Sequence, residues 1–298
     1  MCRLFGMSGG QHEVQATFWL LDAPASLILL SESQPDGVGI GTFNDDGSPS
    51  IWRKPVAANR SETFIALAGS HDVRSRTFLA HIRHATEAEP SMENTHPFEQ
   101  DGRIFAHNGV LGDLDEMRRR AGPYAERIRG NTDSEHYFTL MTKRIADHDG
   151  DVAAGIAAVA QELADDILLY SLNMILTTPT DLWALRYPAT NELWILERSL
   201  GGLEPIGGFD ERSASGIMRV QSGALSVLPA TVIASERMDA SDGWRLLESG
   251  ELIHIDGDLN VTSSIVVDGP PAKMIDLQAL GAQAVAAQGE GPADVPAA

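Results

Sequence analysis

An α+β fold built in stacked layers is what this 298-residue sequence predicts. Short apolar runs bounded by turn residues occur in groups instead of alternating singly with helices, and two long helical patterns stand between the groups. Hydrophobic residues make up 43% of the chain, enough for a sizeable core, and no Pro/Gly/Ser-rich linker divides it. Residues 1–280 are therefore expected to form one domain, followed by a disordered tail at 281–298 that is rich in Ala, Gln, Gly and Pro.

In chain order, the first strands are "GVGIGTF" before the turn "NDDG", then "TFLAHIRH" and "RIFAH". A helix follows in "NTDSEHYFTLMTKRIADH", where Thr132 is a candidate N-cap with Glu135 three residues on, and Phe138, Leu140, Met141 and Ile145 form the apolar face. A second helix is signalled in "DVAAGIAAVAQELADDI", with Val152, Ile156, Val159 and Leu163 at spacings of four, three and four. Strands resume with "SLNMILTT", "DLWALRY" and "ELWILER"; the last pair, separated by "PATN", reads as consecutive antiparallel strands.

Charge and composition exclude several classes of function. The formal net charge of −20 repels nucleic-acid phosphates and anionic lipid surfaces, so neither nucleic acid nor membrane is an expected partner. A single cysteine cannot form an intramolecular disulfide, and the N-terminus lacks the basic and hydrophobic regions of a signal peptide. The expected location is cytoplasmic. The most apolar early run, "TFWLLDAPASLILL", is broken by Asp22 and Pro24 and is shorter than the roughly 20 residues a spanning helix needs.

That lone cysteine is Cys2. If Met1 is removed, residue 2 carries both a thiol and a free α-amine of pKa ~8, so nucleophile and general base share one residue. Such a nucleophile attacks amide carbonyls and needs donors for the oxyanion that develops. "HNG" offers the Asn108 side-chain amide and the Gly109 backbone N–H, although Asn-Gly is also a favourable hairpin turn. Arg83, at a strand end in "HIRHAT", suits a carboxylate and Thr86 adds a hydroxyl; Asp133, in the first turn of a capped helix, suits an ammonium. Arg83 and Asp133 are equally compatible with surface ion pairs. His81, His84, His96 and His107 crowd one window, but His81 and His84 fall on opposite faces of a strand and no second cysteine supplies a ligand. Core or pocket-wall histidines that orient "HNG" and the Arg fit better than a metal site, and no metal or cofactor is expected.

Together these segments resemble the class II glutamine amidotransferases: "MC" at the N-terminus, "HIRHAT", "NTHPF", "HNG" and "NTDSE" match that family in order and approximate spacing. "MCRLFG" and "QPDGVGIGTF" are similar to its short, stand-alone members, and the resemblance extends to about residue 275. It implies a four-layer αββα sandwich of the N-terminal-nucleophile hydrolase type. It also implies that Cys2 attacks the γ-amide of glutamine or a γ-glutamyl conjugate, that Asn108 and Gly109 form the oxyanion hole, that Arg83 and Thr86 hold the substrate carboxylate, and that Asp133 holds its amino group, with His107 beside them. The implied partners are a γ-glutamyl small molecule and a separate ammonia-accepting or synthase subunit. An N-terminal-cysteine hydrolase of non-glutamyl amides and a catalytically silent subunit of the same fold are the alternatives. Two departures flank the expected pocket: Glu87 follows Thr86 where relatives commonly carry Gly or His, and His84 replaces an aromatic of the larger synthases.

Overall fold

The computed structural model describes residues 2–14, 16, 20–21, 26–31, 36–70, 73–83, 90–198, 211–212, 219–220, 229–240, 242–276 and 278. The strands are β1 (Arg3–Ser8), β2 (Gly37–Phe43), β3 (Pro49–Lys54), β4 (Thr77–Arg83), β5 (Phe98–Gln100), β6 (Arg103–Asn108), β7 (Asn173–Thr177) and β8 (Leu182–Arg186). They continue with β9 (Trp194–Arg198), β10 (Glu211–Arg212), β11 (Arg219–Val220), β12 (Ala230–Ala234), β13 (Trp244–Leu246), β14 (Glu251–Ile255) and β15 (Val261–Ile265). A seven-stranded sheet runs β13-β9-β12-β1-β4-β2-β3 and a six-stranded sheet runs β15-β14-β8-β7-β6-β5, while β10 and β11 pair with each other. All pairings are antiparallel.

The two sheets stack face to face. Leu4, Leu79, Ile195 and Ile233 of the first meet Ile104, Ala106, Ile175 and Leu182 of the second in one buried cluster, the inter-sheet seam. Outside the first sheet, Phe5, Met7, Phe78 and Ile82 pack with Phe64 and Ala68 of α2 (Glu62–Gly69). Outside the second, Phe105, Leu176 and Leu185 pack against α4 (Asp133–Asp147) and α5 (Val152–Asp166) through Tyr137, Met141, Ile156 and Leu163, with Met117 of α3 (Leu114–Ala121) joining them. The layers are therefore helix, sheet, sheet, helix, with a short α1 (Leu27–Leu30) on the first side. Fully burying each large apolar side chain of these faces contributes about 1.5–3 kcal/mol.

Both long helices form where the sequence places them. The Thr132 hydroxyl accepts from the Glu135 N–H at 3.3 Å, capping α4, and Asp151 caps α5 by accepting from the Ala154 N–H at 3.0 Å. The capping box is only half made, because the Glu135 carboxylate turns back to the Arg129 and Gly130 N–H groups instead of the Thr132 backbone.

One pairing differs from expectation. "DLWALRY" and "ELWILER" do form strands, but β8 pairs with β7 and β14 in one sheet while β9 pairs with β12 and β13 in the other. The connecting segment is tied down: Asn173 Nδ2 donates to the Asn191 and Glu192 carbonyls at 3.2 Å, and Arg186 donates to the Ala189, Asn191 and Leu247 carbonyls. Both strands present alternate residues to the seam, Leu182 and Ala184 from one and Ile195 from the other, so they pack across it instead of side by side. Among the described residues no helix is long and apolar enough to cross a membrane. The proposed tail at 281–298 lies outside them.

Candidate active site

Side-chain alternation sorts the candidates onto one face. Along β1, Leu4 faces the seam and Phe5 and Met7 face outward; a Cβ on Gly6 would come within 3.1 Å of Ile175 and Leu182 across the seam. Carried one step back, the same alternation turns Cys2 toward the seam. Along β4, Phe78, Ala80 and Ile82 belong to the outer cluster, so Leu79, His81 and Arg83 take the inner face. Along β6, Ile104 and Ala106 are inner and Phe105 is outer, which gives Asn108 the inner face as well.

Register brings these residues to the same end. Arg3 lies opposite Ile82 and Leu4 opposite His81, so the start of β1 meets the end of β4. Gly41, paired with Leu79, lies against Ile104, and Gly39, paired with His81, lies against His96, whose carbonyl would be 2.2 Å from a Cβ there. The sheets thus advance together from Ile104 toward Asn108 and from Leu79 toward Arg83. Arg53 of β3 fixes the intervening loop by donating to the Thr95 and Pro97 carbonyls at 2.9 and 2.8 Å. Cys2, Arg83 and Asn108 are all buried, 8, 5 and 0% exposed, so Arg83 is not a surface ion-pair member.

The end of β6 and the start of α4 are knitted together by hydrogen bonds. His107 Nε2 lies 2.9 Å from the Ser171 carbonyl and Nδ1 lies 2.9 Å from Ser134 Oγ. A carbonyl only accepts, so Nε2 carries the hydrogen and Nδ1 accepts from the Ser134 hydroxyl, a tautomer assigned from the network. Burial holds the His107 pKa below the usual imidazole range against the opposing charge of Asp133. Asp133 accepts from the Leu111 N–H at 2.8 Å and from the Ser134 N–H at 2.7 Å, which anchors its carboxylate at the turn that follows Gly109. Asn94 Oδ1 accepts from the Asn131 N–H at 3.0 Å. Gly109 has no alternative: a Cβ would fall 1.9 Å from the Ser171 carbonyl oxygen and 2.6 Å from His107 Nε2. "HNG" does not turn a hairpin here, since the chain passes from Gly109 into α3 and its next strand partner, β7, comes after three helices.

A second set of polar groups is buried without partners. Both polar atoms of the Asn108 side chain and both ring nitrogens of His96 have no hydrogen-bond partner among the described residues, and His81 has at most a contact with the His107 backbone. The two imidazoles stack with centroids 4.1 Å apart. Burial, reinforced by the Arg83 charge, pushes His81 down to about 3, and burial likewise drives His96 well below its ordinary value, so both are neutral near pH 7. Among the described residues no group of three or more His, Cys, Asp or Glu side chains is arranged to hold a metal ion. Thr86, His84, Glu87 and Met1 lie outside the described residues.

Sequence reasoning assigned Asp133 but missed the work of its neighbours. In "NTDSE", beyond the expected Thr132 cap, Ser134 fixes His107 and Glu135 holds the preceding loop; in "NTHPF", Asn94 receives Asn131 and His96 stacks on His81. Both segments were visible as motifs, and the tasks of the individual letters were not.

A family profile described as "Glutamine amidotransferases class-II" matches residues 1–275. The chain belongs to that family. A Haemophilus influenzae protein named "Putative glutamine amidotransferase" is 26% identical over 292 residues, covering 94% of this chain and 92% of that protein. The glutamine–fructose-6-phosphate aminotransferase of Mycolicibacterium paratuberculosis is 25% identical over 177 residues, which cover 58% of this chain and 27% of that protein. Among solved structures, a glutamine aminotransferase class-II domain protein from Silicibacter pomeroyi aligns with a TM-score of 0.56 at 17% identity over 89% of this chain and 99% of its own. Glutamine phosphoribosylpyrophosphate amidotransferase from Bacillus subtilis aligns with a TM-score of 0.62 at 17% identity, over 90% of this chain and 50% of its own. The fold of this class II glutamine amidotransferase domain is thus the αββα sandwich of the N-terminal-nucleophile type.

Proposed function

We propose that this class II glutamine amidotransferase domain hydrolyses the γ-amide of glutamine or of a γ-glutamyl conjugate, with Cys2 as nucleophile after removal of Met1. The α-amine of Cys2 takes the thiol proton, and sulfur attacks the γ-carbonyl carbon to give a tetrahedral intermediate whose oxyanion is met by the Asn108 amide and the Gly109 N–H. Collapse breaks the C–N bond, and the proton held on the α-amine leaves with ammonia or the conjugate amine. Water then adds to the γ-glutamyl thioester, and loss of the thiolate returns glutamate and the starting thiol.

Arg83 and Thr86 hold the substrate α-carboxylate, Asp133 the α-ammonium, and His107 keeps "HNG" in place. A cation and a carboxylate assigned to the two ends of an amino-acid head favour a γ-glutamyl group over an acyl tail, which offers nothing for either to bind. Ammonia passes to water or to a separate ammonia-accepting or synthase subunit, in the cytoplasm. The observation that supports this reading most is the Asn108 amide, wholly buried with neither polar atom partnered among the described residues, beside a glycine that admits no side chain. A buried amide in that condition costs the fold about 1–3 kcal/mol unless a ligand or water completes it.

The test is a panel of glutamine and γ-glutamyl amides assayed against the parent protein and Cys2→Ala. Turnover of at least one γ-glutamyl compound, lost in Cys2→Ala, is expected; full activity in the variant, or turnover confined to non-glutamyl amides, refutes the proposal.

A further inference from the structure

We infer that Arg3, Ser235 and Glu236 form a clamp that positions the N-terminal nucleophile. The inference rests on the proposed role of Cys2 and concerns residues to which that role assigns nothing.

A chain terminus frays unless it is tied down, and a nucleophile at position 2 whose preceding residue has been removed is held by its own chain from one side only. β1 is a central strand, yet its two ladders are unequal. Pairing with β4 extends to Arg3, opposite Ile82, whereas pairing with β12 stops at Phe5, opposite Ala234. The two residues between that point and Cys2 are therefore supported by a strand on one flank only.

The segment after β12 fills the other flank with one backbone hydrogen bond and two side chains. The Ser235 N–H donates to the Leu4 carbonyl at 3.1 Å, and the Leu4 N–H donates to the Ser235 hydroxyl at 2.9 Å, so Leu4 is gripped in both directions. One residue further, Arg3 Nε forms an ion pair with Glu236 Oε1. Both side chains are largely buried, 11 and 14% exposed, and burial raises the Glu236 pKa against the pull of Arg3, as a carboxylate out of water requires a close cation. Alternation turns Arg3 to the face opposite Cys2 and Leu4, so the pair fixes the backbone next to the nucleophile without entering the seam. A strand ladder here would have used backbone groups alone; the ion pair instead ties residue 3 to residue 236 by geometry that two specific side chains set.

Arg3, Ser235 and Glu236 are thus positioning residues. Their removal misplaces the Cys2 sulfur relative to the γ-carbonyl, and a displacement near 1 Å costs on the order of 100-fold in rate. Arg3→Gln is expected to lower kcat for the best γ-glutamyl substrate by about 10- to 100-fold with KM within about twofold, since the groups that hold the amino-acid head are untouched. Intact mass should show Met1 still removed. Arg3→Lys, which keeps charge but loses the Nε donor that meets Glu236, should fall between, and the exchange Arg3→Glu with Glu236→Arg should recover most of the kcat lost in Arg3→Glu alone. A purely structural pair would lower the melting temperature and leave kcat per folded site unchanged. If Arg3→Gln proves too poorly folded to assay, Arg3→Lys and the exchange variant decide alone. Parental kcat in Arg3→Lys together with no recovery in the exchange overturns the clamp, provided Cys2→Ala is inactive; an active Cys2→Ala overturns the role of Cys2 instead.

Discussion

Two sets of buried polar groups meet at the same end of the inter-sheet seam, and they are treated oppositely. His107, Ser134, Asp133, Glu135 and Asn94 bond within the protein through the atoms that link β6, the following turn and α4. Asn108, adjacent in sequence to His107, has no partner for either side-chain atom among the described residues, and His96 has none there for its ring nitrogens. A saturated network rigidifies, because removing one member strands another in low dielectric. An unsaturated group costs stability and is retained where something else completes it. On the proposed function, the first set, Asp133 apart, gives the wall its shape, and Asn108 together with Asp133 is what the wall presents to substrate.

That division is broken most sharply by Asn108→Leu, which keeps the approximate shape and removes both polar atoms. We expect kcat to fall about 100- to 1000-fold, as for loss of one oxyanion donor, while the melting temperature holds or rises, since an apolar group of similar shape removes an unmet desolvation cost. A large loss of stability with little loss of kcat would place Asn108 in the shape-giving set.

Ser134→Ala is the converse. It leaves Nδ1 of the buried His107 without its donor, so unfolding free energy should fall by about 1–3 kcal/mol, with kcat reduced only about tenfold through a loosened "HNG". Ser134→Thr, which keeps the hydroxyl, should restore both, and equal defects in the Ala and Thr variants would show that the hydroxyl is not what matters.

The remaining effect concerns pH. The folded pKa of His81 lies at about 3 and that of His96 well below its ordinary value, whereas the unfolded imidazoles titrate near ~6.5. Between those values the unfolded chain binds protons that the folded chain refuses, so stability is full above ~6.5 and is lost as pH falls toward 3, by at most about 1.4 kcal/mol per pH unit for each ring. Urea midpoints measured from pH 7 to 4 should decline, and His96→Gln should flatten the decline. An identical slope in that variant would remove His96 from the pair's titration.

Much of this was legible in the sequence, and the reasons for the remainder are physical. Cys2, "HNG" and "NTDSE" are local, and a capped amphipathic helix such as α4 announces its start and its buried face. What alternation does not give is a strand's neighbour: "DLWALRY" and "ELWILER" carry the same signal whether they lie side by side or face each other across the seam, and they do the latter. The contact of His81 with His96, the grip of Ser134 on His107 and the pairing of Arg3 with Glu236 join residues 15, 27 and 233 positions apart, distances at which no periodicity speaks.

The most direct test of the account is intact mass of the parent protein before and after rapid acid quench with its γ-glutamyl substrate, with peptide mapping of any adduct. Protein lacking Met1 is expected to gain a single γ-glutamyl group, as a hydroxylamine-labile thioester on Cys2, in the parent and not in Cys2→Ala. Quantitative retention of Met1 in active protein, or an adduct on any other residue, would contradict it.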